Sequence, residues 1–446
     1  MRKILLLIFL VLPLANAQQW AITYGGSDWD EALLIQETDD GGYIVAGSTE
    51  SFGAGGDFWV LKLNENGNVE WQKTYGGSDY DRAESIQQTD DGGYIVAGST
   101  YSFGAGWSDF WVLKLDEDGN VEWQKTYGGS GWDEAYSIQQ TSDGGYIVAG
   151  VTDSFGAGGD FWILKLNESG YIEWQKTYGG SDYDYAWYIQ QTNDGGYIVA
   201  GYTKSFGAGY YDFWVLKLNE SGYIEWQKTY GGSSDDFAKS IQQTDDGGYI
   251  VAGFTGSFGA GGGDFWILKL NESGNVEWQK TYGGSDYDRA ESIQQTSDGG
   301  YIVAGSTHSF GAGLDDFWVL KLNENGNVEW QKTYGGSDYD RAESIRQTDD
   351  GGYIVAGFTG SFGAGGGDFW ILKLDEKGEI PNCPYGNDTY AEVNETQVSP
   401  INTSATVRDT NVDPQETYVD PIDTDCEIRQ VCPLPPPKAE KVPALS

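Results

Sequence analysis

Between Trp20 and about residue 380 the chain repeats one short cycle of apolar and polar positions. In one copy, Arg82 to Thr89 (RAESIQQT) runs into the polar turn Asp90-Asp91-Gly92-Gly93, and then into the apolar stretch Tyr94 to Thr100 (YIVAGST). A longer loop, residues 101–108 (YSFGAGWS), leads to Asp109 to Leu115 (DFWVLKL). The turn at 116–120 (DEDGN) then leads to Val121 to Tyr127 (VEWQKTY). None of these segments has the length or the 3.6-residue period of a helix, so each predicts a strand. The Asp-Gly turns supply the residues that tolerate positive φ in tight hairpins. Four short antiparallel strands make one propeller blade.

The cycle has a fixed period. A Trp three residues before Thr-Tyr-Gly-Gly stands at 20, 71, 123, 174, 226, 278 and 330, with spacings of 51 or 52 residues. Such a period is the mark of a repeat array or propeller. The first copy supplies only a fourth strand, beginning at Gln19-Trp20. The last supplies three strands and then reads Glu379-Ile380-Pro381-Asn382, where Pro lacks the N–H that a ladder needs. Seven Asp-Phe-Trp strands match seven Trp-bearing strands only if the N-terminal strand completes the last blade. The expected fold is therefore all-β: a closed, seven-bladed β-propeller over residues 18–380.

Residues 1–17 read as an export signal. Arg2 and Lys3 precede the apolar run Ile4 to Leu14 and the cleavage pattern Ala15-Asn16-Ala17. The expectation is a secreted or cell-surface protein without direct membrane insertion. With 26 Lys+Arg against 68 Asp+Glu, the formal charge of −42 makes nucleic acid and anionic lipid poor partners. One His, at 308, excludes a repeated His-based site. The three Cys, at 383, 426 and 432, all lie in the tail, where one disulfide and one spare thiol are expected. Residues 381–446 change to Thr, Pro, Asp, Asn and Val. They include the quasi-repeat Val412 to Thr417 and Val419 to Thr424 and the run Pro433 to Pro437, which together read as a stalk-like spacer.

In a propeller the loops joining fourth to first and second to third strands share one face. Here the copies differ mainly on those loops, while the tight turns hardly vary. The loop face carries Trp29, Tyr80, Trp107, Trp132, Tyr136, Tyr183, Tyr185, Trp187, Tyr210, Tyr211 and Phe237, which are the candidate binding residues. Aromatic side chains on loops suit recognition of an extracellular glycan or protein. Two Asp rings recur seven times, one containing Asp30 and Asp81, the other preceding each Phe-Trp. Ca²⁺ binding is one reading; the favoured one is that each Asp satisfies N–H groups of its own loop or pairs with a nearby Lys, with no cofactor. A glycosidase pair needs two carboxyls in unlike environments, so it would come from symmetry-breaking residues such as Glu31, Glu50, Glu134 or Asp153. Sequons at Asn167, Asn219 and Asn271 fall on the tight-turn face, and Asn387, Asn394 and Asn402 fall in the tail.

The segment Leu-(Asn/Asp)-Glu-x-Gly-x-(Val/Ile)-Glu-Trp, as in Leu115 to Trp123, resembles the tryptophan-docking repeat of quinoprotein-type propellers. That resemblance implies a Trp packed between blades. The absence of Cys from the repeats and their near-perfect symmetry argue against a quinone cofactor. The whole repeat, with Gly-Gly-Tyr-Ile-Val-Ala-Gly and Ser-Phe-Gly-x-Gly, is similar to secreted archaeal and bacterial repeat proteins with that signature. This implies export and a propeller, and leaves activity open. The expected function is a non-catalytic binding or adhesion module. The alternatives are a polysaccharide-acting hydrolase using the same face, or a structural envelope component.

Overall fold

The computed structural model describes residues 18–389 and 391–395, with the tail segments 401–402, 406–409, 415–416, 422–423 and 427–432. The export signal at 1–17, the Pro-rich run and Cys426 lie outside the described residues. Seven blades begin with the strands Asp30–Glu37, Asp81–Gln88, Asp133–Gln140, Asp184–Gln191, Asp236–Gln243, Asp288–Gln295 and Asp340–Gln347, which number them 1 to 7. In blade 2 the order continues Tyr94–Thr100, Asp109–Leu115 and Val121–Tyr127, all antiparallel, as the hairpin turns predict. The first strand starts and ends one residue earlier than the sequence reading placed it.

The ring closes as expected. The strand Trp20–Gly25 pairs with Asp368–Leu374, from Trp20 opposite Lys373 to Tyr24 opposite Phe369. Around the ring, the backbone N–H of each tight turn donates to the last Gln of the next blade's first strand, as Asp39 does to Gln88 at 2.9 Å. The same link spans the junction, where Asp349 N–H donates to Glu37 Oε2 at 2.9 Å.

Apolar residues of adjacent blades form the core. Ala46, Phe58 and Val60 of blade 1 pack on Ala83, Val96 and Trp111 of blade 2. The fourth-strand Trp docks on the next blade: Trp71 Nε1 donates to Glu117 O at 3.1 Å and Tyr75 OH to Gly119 O at 2.6 Å. Gly119 has φ 75°, and a Cβ there would lie 2.8 Å from the Trp71 ring, so both backbone and packing require glycine. The third-strand Lys is buried and paired: Lys62 Nζ lies 2.8 Å from Asp40 and 2.9 Å from Glu70. This explains the invariant Asp-Gly-Gly turns, since the turn carboxylate neutralises a lysine that the fold buries.

The tail differs from the spacer read in the sequence. Its segments add a fifth, outermost strand to every blade, travelling from blade 6 backwards through blade 1 and ending on blade 7. Asn387, Asn394, Ile401, Arg408, Gln415, Ile422 and Arg429 stand opposite the fourth-strand threonines Thr333, Thr281, Thr229, Thr177, Thr126, Thr74 and Thr23. These positions are seven residues apart, so one heptad of tail serves one blade. A disulfide between Cys383 and Cys432 joins the start of this belt to its end. On blade 6, the buried Trp318 Nε1 donates to Thr389 Oγ1 at 3.1 Å. On blade 7 the equivalent position, two beyond Arg429, is Val431, and Trp370 Nε1 has no hydrogen-bond partner among the described residues. The belt covers the fourth-strand edges, which would otherwise be open to pairing with other chains.

Candidate functional site

The site is built on an irregularity of the innermost strands. In every blade the ladder between first and second strands skips one residue, a β-bulge, at Leu33, Glu84, Tyr136, Trp187, Lys239, Glu291 and Glu343. A bulge re-aims its side chain, and all seven line one axial cavity of about 450 Å³. A position that is freed from the ladder varies without disturbing the core, which is why a highly varied position of the repeat faces the axis. A second hollow of about 280 Å³ continues along the channel, lined by the next residues of the same strands, among them Gln36, Gln87 and Gln139.

The cavity is acidic and partly aromatic. Arg82 bridges Glu84 at 2.9 Å and Glu31 at 3.3 Å, and Lys239 lies 3.5 Å from Glu291. The Lys239 ammonium also sits 3.7 Å from the centroid of the Trp187 ring, which packs 4.0 Å from Tyr136. Glu134 accepts from Tyr136 OH at 2.7 Å and from Tyr101 OH at 3.3 Å. Glu343 has no ion pair and accepts no hydrogen bond among the described residues. Burial, with the charges of Glu291 and Glu31, pushes its carboxyl well above the usual range. Burial also raises Glu84, opposed by Arg82.

At the rim, the two families of variable loops meet, as the propeller geometry requires. Tyr101 N–H donates to Tyr80 O at 3.0 Å, and Asp133 N–H to Ser108 O at 2.9 Å. The rim aromatics fall into separate groups. Trp107, the most exposed at 69%, meets Trp132 edge-on at 6.2 Å. Trp29 stacks on Phe358 at 4.1 Å, at the junction of blades 1 and 7. The largest group is an arc over blades 4 to 6. Tyr183 stacks near Tyr185 at 6.3 Å, Tyr185 on Tyr202 at 5.1 Å, and Tyr202 meets Phe237 at 4.7 Å. Phe254 and Tyr287 extend it at 6.0 and 6.4 Å. Tyr211 flanks Tyr202 and Phe237, Tyr210 projects into solvent beside Lys204, and Trp187, 6.2 Å from Tyr202, connects arc to cavity.

The candidate residues thus divide. Tyr80, Tyr136 and Trp187 line the cavity, Tyr183, Tyr185, Tyr211 and Phe237 belong to the arc, and Trp29, Trp107 and Trp132 stand elsewhere on the rim. Sequence reasoning missed Tyr202, Phe254 and Phe358. All occupy the one variable position of the second strand, where other copies have Ser or Val, and that variation was the available signal. Exposed aromatics are not confined to this face: Tyr171 and Tyr223 project from the tight turns, where Lys125 and Lys176 lie 4.6 and 4.5 Å from their rings.

Both Asp rings serve their own loops. Asp30 accepts from Gly26 N at 2.7 Å and Ser51 Oγ at 2.8 Å, as well as from Thr49 Oγ1, and Asp57 accepts from Ala54 N at 3.0 Å. The lysines pair with turn carboxylates instead. No group of three or more His, Cys, Asp or Glu suited to a metal occurs among the described residues. Of the sequons, Asn167, Asn219 and Asn271 cap their turns through Oδ1, while Asn387, Asn394 and Asn402 fall on belt strands.

No family model and no curated protein matches the sequence. Among solved structures, the chain is similar to a protein of unknown function from Dyadobacter fermentans, at 10% identity and a TM-score of 0.42, covering 81% of this chain and 99% of that one. A puromycin hydrolase aligns at 9% identity and a TM-score of 0.43, over 78% of this chain; the chain spans about half (52%) of that hydrolase. An endo-1,5-alpha-L-arabinanase from Thermotoga petrophila aligns at 12% identity and a TM-score of 0.29, over 81% of this chain and 100% of that one. The fold assignment rests on this chain's own sheets: it is a seven-bladed β-propeller.

Proposed function

We propose that the protein is an exported, non-catalytic binding module that recognises a glycan through the loop face. The observation that carries this reading is the arc from Tyr183 through Tyr202 to Tyr287, which opens beside Trp187 into the axial cavity. Flat aromatic faces on a rigid scaffold suit the apolar faces of sugar rings, and little conformational entropy is lost on contact. An extended peptide, by contrast, favours main-chain pairing with a free strand edge, and the belt occupies the outer edges. Export follows from the pattern at residues 1–17, and the sequons are then available for modification.

One observation favours hydrolysis as a second reading. Burial and its acidic neighbours raise the Glu343 carboxyl well above the usual range, whereas Glu291 has Lys239 beside it, so two cavity carboxyls have unlike surroundings. A glycan array probed with residues 18–446, followed by chromatography of the incubated ligands, separates the readings. The expected result is retained ligand, no shorter product, and binding lost in Tyr202→Ala/Phe237→Ala with thermal unfolding little changed. Wild-type binding by that variant contradicts the arc. Product release that disappears in Glu343→Gln establishes the hydrolase.

A further inference from the structure

We infer that the glycan taken by this face carries free amines, and that the axial cavity seats one of its ammonium groups. This rests on the glycan-binding reading above and names its ligand class. The cavity already shows how it holds an ammonium: the Lys239 head group lies 3.7 Å from the Trp187 centroid and 3.5 Å from Glu291, an aromatic face on one side and a carboxylate on another. Cations are drawn to such ring faces most strongly where water is excluded.

The protein's own cations do not exhaust the site. Arg82 is engaged by Glu84 and Glu31, and Lys239 by Glu291. Arg346, deeper in the channel, donates to Ser292 Oγ at 3.0 Å and to Ile345 O at 2.7 Å. Glu134 is held by two tyrosine hydroxyls, and Glu343 makes no ion pair or hydrogen bond among the described residues, with Lys239 and Arg82 acting on it only at longer range, so neither carboxyl of the wall is directly paired to a basic group there. The raised affinity of Glu343 for a proton has the same cause, since a buried carboxyl among other carboxyls takes up whatever positive charge is offered. An arriving ammonium supplies that charge. The chain's formal charge of −42 favours its approach.

Aromatic arc and acidic cavity are contiguous through Trp187, which lies 6.2 Å from Tyr202 and 4.0 Å from Tyr136. A neutral sugar chain would use only the arc, and a lone amine only the cavity. A sugar polymer bearing amines uses both.

The test is calorimetric titration of residues 18–446 with glucosamine oligomers and with the same oligomers fully N-acetylated, in low salt at a pH where the free amines are protonated. The amine form is expected to bind about tenfold or more tightly, and about 0.5 M salt should remove most of the difference. Glu343→Gln should erase the preference, with an unchanged circular dichroism spectrum and cooperative thermal unfolding reporting that the variant is folded. Equal binding of both oligomers overturns this inference and leaves the glycan reading intact. Binding of neither overturns the glycan reading itself. A lysine oligomer that matches the glucosamine oligomer overturns the assignment to a glycan.

Discussion

Beneath the loop face the aspartates that precede Phe-Trp are buried against glycines, and their titration runs opposite to that of the turn aspartates. Burial, reinforced by Asp81, pushes Asp57 up to about 6; burial and Asp133 push Asp109 up to about 7. Asp212, Asp316 and Asp368 are raised to about 6 in the same way. At the tight turns burial also works against the charged form, but hydrogen bonds from Lys62 and Thr38 hold Asp40 down to about 2, and Asp143, Asp194, Asp246 and Asp298 match it. A raised carboxyl binds its proton more tightly folded than unfolded, so its contribution to stability is full below about pH 4 and is lost as pH climbs through 6 to 7. A lowered carboxyl contributes fully above about pH 4, and that contribution is lost as pH falls through 2. Thermal unfolding across pH should therefore peak near pH 4 to 5 and decline on both sides; a midpoint still rising from pH 5 to pH 8 contradicts these assignments. The variable aromatics were legible because they interrupt a near-perfect repeat. Tyr202 interrupts the repeat too, but its strand reads as core throughout, and it is the ladder that sets it opposite Tyr185 at the rim end of that strand.

At the scale of elements, the strands were legible because local chemistry and pattern agree: Asp-Gly turns bound each hairpin and the apolar runs have strand length. The vacancy in blade 7 was legible from Pro381 and Asn382, which stand where the other copies have Glu and Trp, and from the lone fourth strand at Trp20. Trp20–Gly25 fills it, between the third strand of that blade and the last strand of the belt, Glu427–Cys432. Deleting residues 18–24 strips a partner from both and exposes two edges, so the variant should aggregate and lose its cooperative unfolding. A monomeric deletion of unchanged midpoint in light scattering and calorimetry contradicts the closure. The bulges were not legible, since a one-residue slip is set by what the partner strand offers rather than by the bulged residue. The belt strands escaped notice for another reason. They are two to six residues long, too short for an alternating pattern. Their signal is the seven-residue spacing, of which Val412 to Thr417 and Val419 to Thr424 show two turns.

The molecule as a whole is a ring held by its own tail. Seven heptads meet seven blades, and Cys383 bonded to Cys432 ties the ends of a 49-residue span. Cross-linking a loop of that size is worth roughly 4 kcal/mol by chain entropy. Serine at both cysteines should lower the unfolding midpoint and open the belt, rather than the blades, to protease, with mass spectrometry placing the first cuts between 384 and 431. First cuts inside the repeats contradict a belt that lies over them. The described belt strands pair with the fourth-strand edges, and the proposed recognition surface is the varied loop face. Amide hydrogen exchange with and without a bound glucosamine oligomer tests this most directly. Slowed exchange is predicted to be confined to the loops and inner strands of blades 3 to 7, around residues 132–137, 183–188, 202–211, 235–239, 287–291 and 341–345. Protection centred on the tight turns or the belt, with those segments unchanged, contradicts it.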